Sequence, residues 1–273
     1  MCQLKMKKIY NRRNGVFVTL LLVVVVILSA CGPRSSDQST AGEKASAKQP
    51  STDEPMSAVV FIHGYNGSEN SMAPMIKRLA KKEKSFASGV TFTIEPNGSY
   101  EKKGEFVAHK KNLVNVVYAD SQTEAATEGE QLATVMSALR EAGIKTVDFV
   151  AHSMGGTTIT YYLESQPDET KVPKVEKFVA IGTPFAWAGT AAASENNVLE
   201  QNKVDLPTNL SVYGIIGNVG DESDGTVPYA DAHFAKRLFA NYQEAIITGD
   251  KAAHSKLRNN DKVDEIILRF LTN

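Results

Sequence analysis

The stretch Thr146-Val-Asp-Phe-Val-Ala-His-Ser-Met-Gly-Gly156 decides how the rest of the chain is read. Its apolar run of Val147, Phe149 and Val150 predicts a buried strand. A sharp turn carrying Ser153 follows. Small and β-branched residues (Gly155, Gly156, Thr157, Thr158, Ile159) then open a helix. Strand, turn and helix in that order are the setting of a nucleophile elbow. The turn holds the serine in a strained backbone conformation at the carboxyl edge of the sheet. There the N-terminal N–H groups of the next helix favour negative charge. Ala151, two residues before the serine, and Gly155, two after it, are small enough to keep strand and helix from colliding. The usual pattern has glycine at the first of these positions, and alanine is the next smallest residue. The pentapeptide alone would equally fit a glycine-rich turn between a strand and a helix. The flanking elements are what give it weight.

On either side of this stretch, strands and helices alternate. Ala58–Ile62 is apolar on both faces, as a central parallel strand should be, and runs into His63-Gly64-Tyr65-Asn66-Gly67. Asn70 and Ser71 offer caps for a helix whose Met72, Met75, Ile76 and Leu79 recur at helical spacing. Val90–Ile94 and Val114–Tyr118 alternate apolar with polar and predict strands. Pro96-Asn-Gly98 and Lys102-Lys-Gly104 are turn signals between them, and Phe106–His109 offers a short additional strand. A long helix is expected from Thr123 to Ala142, stopped by Gly143. After the elbow helix, which reaches Ser165, strands are expected at Val175–Ile181, Leu210–Ile216 and Glu244–Thr248. Asp261, with Asp264 three residues on, is expected to cap a final helix whose apolar face is Val263, Ile266, Ile267 and Phe270. This alternation predicts an α/β, doubly wound, mostly parallel sheet with helices on both faces. The long connection over 185–207, with Trp187 and several alanines, reads as a small cap over the site or as a plain surface loop.

A serine nucleophile needs a base, an orienting acid and oxyanion donors. Five histidines compete for the first role: His63, His109, His152, His233 and His254. His254 is favoured, because loops after the carboxyl ends of strands converge on the ligand crevice of an open α/β sheet. Its bland alternative is a solvated loop histidine. His152, inside the elbow, must point away from Ser153. Among the acids after the Leu210–Ile216 strand, Asp224 is favoured, because Gly225 permits a tight turn that aims its carboxylate inward. Asp221 is second, and the group could also be a solvated loop or a calcium site. The backbone N–H groups of Met154 and Tyr65 are the expected oxyanion donors, with Gly64 allowing close approach.

Phe61-Ile-His-Gly-Tyr65, Ala151-His-Ser-Met-Gly-Gly156, Ser223-Asp-Gly-Thr-Val-Pro228 and His254-Ser together resemble the α/β-hydrolase superfamily. More closely, they resemble a family of Gram-positive cell-surface α/β-hydrolases, a domain of unknown function. The elbow is also similar to that of small Bacillus lipases. The resemblance covers nearly all of 56–273. It implies an α/β-hydrolase fold with Ser153, Asp224 and His254 as a triad, and no particular substrate.

The amino end carries a different message. Lys5, Lys7, Lys8, Arg12 and Arg13 precede an apolar run from Val16 to Leu28. At about 1.5 Å per residue that run spans roughly 20 Å, short of the ~30 Å hydrocarbon core. It suits a signal peptide over 1–30. Leu28-Ser-Ala-Cys31-Gly resembles a bacterial lipobox, which implies a diacylglycerol on Cys31 and attachment to the outer face of the cell membrane. An uncleaved membrane anchor and ordinary secretion are the alternatives. The polar stretch 31–55 is expected to be a disordered tether, and 56–273 the folded domain.

A net charge of −1 gives no footprint for nucleic acid. With its two cysteines at positions 2 and 31, the domain has neither a disulfide nor a Cys/His zinc cluster. The expected function is a monomeric, cofactor-free and metal-free serine hydrolase of small-molecule or lipid carboxylic esters. A lipid-anchored binding protein on a hydrolase scaffold and an acyltransferase are the competing readings.

Overall fold

The computed structural model describes residues 56–188 and 197–273. The expected signal peptide, Cys31 and the tether lie outside those residues, as does the middle of the expected cap.

Eight strands form one sheet: β1 (Met56–Ile62), β2 (Phe86–Ile94), β3 (Tyr100–Lys103), β4 (Lys111–Tyr118), β5 (Ile144–His152), β6 (Lys174–Ile181), β7 (Ser211–Asn218) and β8 (Asn241–Thr248). Their order is β3-β2-β4-β1-β5-β6-β7-β8. Every neighbouring pair is parallel except β2 with β3. Helices cover both faces, as the alternating sequence predicts. Ala58, Val60 and Ile62 of β1 face one core with Leu132, Val135, Met136 and Leu139 of α2 (Ala125–Glu141) and Ile159 and Tyr162 of α3 (Met154–Glu164). Val59 and Phe61 face the other. There they meet Met72, Met75, Ile76 and Leu79 of α1 (Glu69–Lys82) and Val263, Ile266, Ile267 and Leu271 of α7 (Asp261–Thr272). Each Val, Leu, Ile, Met or Phe among these contributes about 1.5–3 kcal/mol on burial. Three short helices, α4 (Val198–Asn202), α5 (Tyr229–His233) and α6 (Ala235–Leu238), lie between β6 and β8 in the chain.

Several local expectations are corrected. Phe106–His109 forms no strand; the added strand is β3, which pairs back on β2 as a hairpin across the Pro96-Asn-Gly98 turn. Lys102 and Lys103 are therefore strand residues, and only Gly104, at φ 81°, marks the turn. Strand β4 is buried almost throughout, because it is central; its Asn115 donates from Nδ2 to the main-chain oxygen of Glu69 at 3.0 Å, while its buried Oδ1 has no partner among the described residues. Helix α1 starts two residues early, at a cap made by Ser68, with Ser71 returning a bond to the Ser68 N–H at 3.0 Å. Helix α7 is capped by Asn260, which accepts from the Lys262 N–H at 2.9 Å. Asp264 is not a cap partner but a buried carboxylate paired with Arg78 at 2.7 Å. Phe270 is only half-buried and packs on Tyr213, leaving Leu271 on the core face. The described flanks of 185–207 fold back into the first core through Phe185, Leu199 and Leu206.

The winding reverses at β1, which lies between β4 and β5. The carboxyl ends of β1 and β5 thus sit side by side at the switch point of the sheet, where an open α/β fold forms its crevice.

Candidate active site

Ser153 leaves β5 at φ 56°, ψ −133° and begins α3 as its N-cap. A positive φ on a non-glycine residue is strained, and the surroundings hold it there. A Cβ on Gly155 would stand 2.3 Å from the His63 oxygen and 2.9 Å from that of Ile62. The small residue after the serine is therefore required by the end of β1 rather than by β5. A Cβ on Gly64 would come within 2.6 Å of the Ser153 Cβ, so the loop after β1 lies directly against the serine.

His254 opens the short 3-10 turn His254–Asn259 after β8. Its Nε2 is 2.9 Å from Ser153 Oγ, and its Nδ1 is 2.6 Å from Asp224 Oδ2. The structure thus brings Ser153, His254 and Asp224, from three separate strand ends, into one hydrogen-bonded chain. With Nδ1–H donating to the carboxylate, Nε2 is free to accept from the serine hydroxyl. Asp224 is buried in the turn after β7, and its Oδ1 accepts from the Thr226 and Val227 N–H groups at 2.9 and 2.7 Å. The His254 N–H donates to the Asp224 main-chain oxygen at 2.8 Å. The acid is held by its own turn, and its backbone holds the base.

The other candidates lie elsewhere. Asp221 and Glu222 are exposed, and Asp231 is buried in α5. His233 pairs with Glu244 at 2.9 Å. His109 is an exposed residue of the β3–β4 connection. Among the described residues no group of three or more His, Cys, Asp or Glu side chains could hold a metal ion.

Met154 is the first residue of α3, where an N–H has no acceptor within its helix. Neither its N–H nor that of Tyr65 has an acceptor among the described residues. Gly64, Tyr65, His152, Ser153, His254 and Arg258 line one cleft of about 200 Å³.

The sequence of residues 46–273 matches the family described as alpha/beta hydrolase of unknown function (DUF915). The chain belongs to that family. Among solved structures, the lin2722 gene product of Listeria innocua is 26% identical, with a TM-score of 0.71, over 79% of this chain and 94% of that one. A protein of Lactobacillus plantarum WCFS1, assigned as a cell surface hydrolase, is 23% identical with a TM-score of 0.69, over 80% and 92%. It shares the fold. No curated protein matches the sequence.

In this α/β-hydrolase, two histidines set aside as bases are structural supports of the cleft. His63 is buried; its Nδ1 donates to the Gly64 oxygen at 2.9 Å and its Nε2 accepts from the Tyr118 N–H at 3.1 Å. Accepting at one nitrogen requires a neutral ring, and burial lowers its pKa accordingly. A Cβ on Gly67 would fall 2.3 Å from His63 Nδ1, so the turn closes tightly on the ring. The Asn66 N–H donates to the Ser121 oxygen at 2.9 Å, which ties the same loop to the end of β4. The His152 Nε2 donates to the His254 oxygen at 3.0 Å. Gly182 follows β6, in the Gly182-Thr-Pro184 turn that closes that strand. At φ 54° it lies where a Cβ would be 2.9 Å from Asp224 Oδ2 and 3.2 Å from His254 Nδ1. The pairing of a strand end with Gly-Thr-Pro was its only signal.

Proposed function

We propose that this protein is a serine hydrolase of carboxylic esters, working through Ser153, His254 and Asp224. The observation that carries the reading is the unbroken run of contacts from Ser153 Oγ to His254 Nε2 and from His254 Nδ1 to Asp224 Oδ2, at 2.9 and 2.6 Å. His254 takes the serine proton as Oγ attacks the carbonyl carbon. The N–H groups of Met154 and Tyr65 hold the oxyanion, each worth about 10²–10³ in rate. The imidazolium, steadied by Asp224, returns its proton to the departing alcohol. Water, deprotonated by the same ring, then releases the acid from the acyl-enzyme.

The test is a fluorophosphonate probe beside a p-nitrophenyl ester chain-length series on the soluble domain. Labelling and turnover are expected in the wild type and are lost in Ser153→Ala. Labelling that persists in Ser153→Ala would end the reading.

The lipobox-like Leu28-Ser-Ala-Cys31 supports a second part of it, that the enzyme is anchored by a lipid on Cys31 at the outer face of the cell membrane. On fractionation, Cys31→Ala is expected to move the protein out of the membrane pellet. Wild-type membrane retention in that variant would refute the anchor.

A further inference from the structure

Arg258 differs from two other cations that are drawn into the interior of the described domain, Arg78 and Lys111. Arg78 spends its charge on Asp264 at 2.7 Å, and Lys111 on Asp148 at 2.8 Å. Arg258 is half-buried, and among the described residues no carboxylate lies within ion-pairing distance of it. Its Nη1 donates to the Ser71 main-chain oxygen at 2.7 Å, and its Nε is buried with no partner among the described residues. Burial draws its pKa below the ordinary guanidinium range, with no acidic neighbour acting against it. A guanidinium taken partly out of water without a counter-charge is costly, and such groups are normally paired. This one lines the cleft that holds Ser153 and His254, four residues after the base on the same 3-10 turn.

The cleft points the same way. Its lining among the described residues is dominated by backbone, hydroxyl, imidazole and guanidinium groups rather than aliphatic side chains.

We infer that the ester taken by this site carries an anionic group, a carboxylate or phosphate, that docks on Arg258 while its carbonyl lies against Ser153. The inference rests on the reading of Ser153 as nucleophile. A planar guanidinium with unused donors suits either oxyanion.

The experiment compares kcat/KM for matched esters: monophenyl glutarate against phenyl pentanoate, with the charge on the acyl side. On the alcohol side, 3-acetoxybenzoate and 3-acetoxyphenyl phosphate are each compared with phenyl acetate. The expected wild-type result is a preference of about tenfold or more for the anionic member of at least one pair, the size of one charge-assisted hydrogen bond. Which member is preferred tells acyl from alcohol side and carboxylate from phosphate. Arg258→Gln is expected to erase that ratio, and Arg258→Lys to keep part of it. Ser71→Asp guards against misfolding of the first variant: its carboxylate can still accept from the Ser68 N–H, the Arg258–Ser71 backbone bond stays, and the new charge occupies the guanidinium. It should erase the ratio as well. Where turnover is slow, the ratio is read from protection of Ser153 against the fluorophosphonate. Neutral esters cleaved as well as anionic ones in every pair, or a preference that survives both Arg258→Gln and Ser71→Asp, overturns the inference alone. No labelling and no turnover of any ester overturns the nucleophile, and the inference with it.

Discussion

His152 donates from Nε2 to the main-chain oxygen of His254 across 3.0 Å, so the residue before the candidate nucleophile holds the backbone of the candidate base. Their rings are 4.5 Å apart. Burial, and then repulsion from the neighbouring His254 ring whenever that ring carries a proton on both nitrogens, and from Arg258, pushes the His152 pKa well below its ordinary value, so the ring stays neutral. His152→Ala removes the tether and leaves a carbonyl unpaired. A displacement of about 1 Å at the base can cost on the order of 10²-fold, and kcat/KM on a p-nitrophenyl ester is expected to fall by about 10- to 100-fold. Fluorophosphonate labelling should slow in parallel, and His152→Gln should recover part of both. Unchanged labelling in His152→Ala would show that the base needs no such tether.

Gly182→Ala tests how closely the acid–base pair is packed. The new methyl would press on Asp224 Oδ2 and His254 Nδ1 at 2.9 and 3.2 Å, at a φ of 54° that costs a non-glycine residue about 1 kcal/mol or more. A loss of about 1–2 kcal/mol in urea unfolding is expected, with a loss of activity of about 100-fold or more. The activity loss should far exceed what the small change in folded fraction explains. An active Gly182→Ala enzyme would mean that the pair can move aside.

The parts of this molecule that were legible in its sequence are those written locally. Apolar runs such as Ala58–Ile62 and Val147–Val150 give central strands wherever they are placed, and the elbow declares itself within a few residues. Asp224 and His254 could be singled out because each follows the carboxyl end of a strand, and topology gathers such ends. Strand β3 is not legible because Tyr100-Glu-Lys-Lys103 lies on the exposed edge of the sheet and carries no apolar alternation. Asp264 was read as a cap partner because its true partner, Arg78, is 186 residues away on another helix. Separation along the chain likewise hides the surroundings of Gly182, His63 and Arg258, which lie against Asp224 and His254, Tyr118, and Ser71 respectively. Caps shifted to Ser68 and Asn260 because adjacent polar residues compete for one role, and only the packed helix chooses between them.

Asp224 and Asp221 should separate cleanly. In Asp224→Asn the side-chain oxygen can keep its bonds from the Thr226 and Val227 N–H groups, but the amide then faces His254 Nδ1 with a donor. The ring must answer with a bare Nδ1, which puts its proton on Nε2, where it cannot accept from Ser153. A fall in kcat of about 10⁴ is expected. Asp221 is exposed and takes no part in the contacts of His254, so Asp221→Asn should leave kcat/KM within about twofold, as for an ordinary surface change. A reversed ranking would move the acid to Asp221.

Glu128, in the first turn of α2, is fully buried, and Thr158 Oγ1 of α3 lies 2.8 Å from its Oε2. Its Oε1 has no partner among the described residues. Burial raises its pKa from 4.5 to about 8; the bond from Thr158 opposes this, and Asp120 adds to it. At neutral pH Glu128 is therefore an uncharged acid. As such it can donate to Thr158 Oγ1, whose own proton then turns to the Met154 oxygen 3.2 Å away, at the start of the helix behind Ser153. The sign of the linkage follows from proton binding. Between pH 4.5 and about 8 the folded chain keeps a proton that the unfolded chain gives up, so stability falls as pH rises through that window. The slope is about 1.4 kcal/mol per pH unit from this group. Glu128→Gln cannot ionise and keeps an acceptor for Thr158. Relative to wild type, it should gain stability steadily from pH 5 to pH 8, measured by urea unfolding across that range. A constant difference between the two proteins over the window would mean that Glu128 is already ionised in the fold, with Thr158 donating to it and not to Met154.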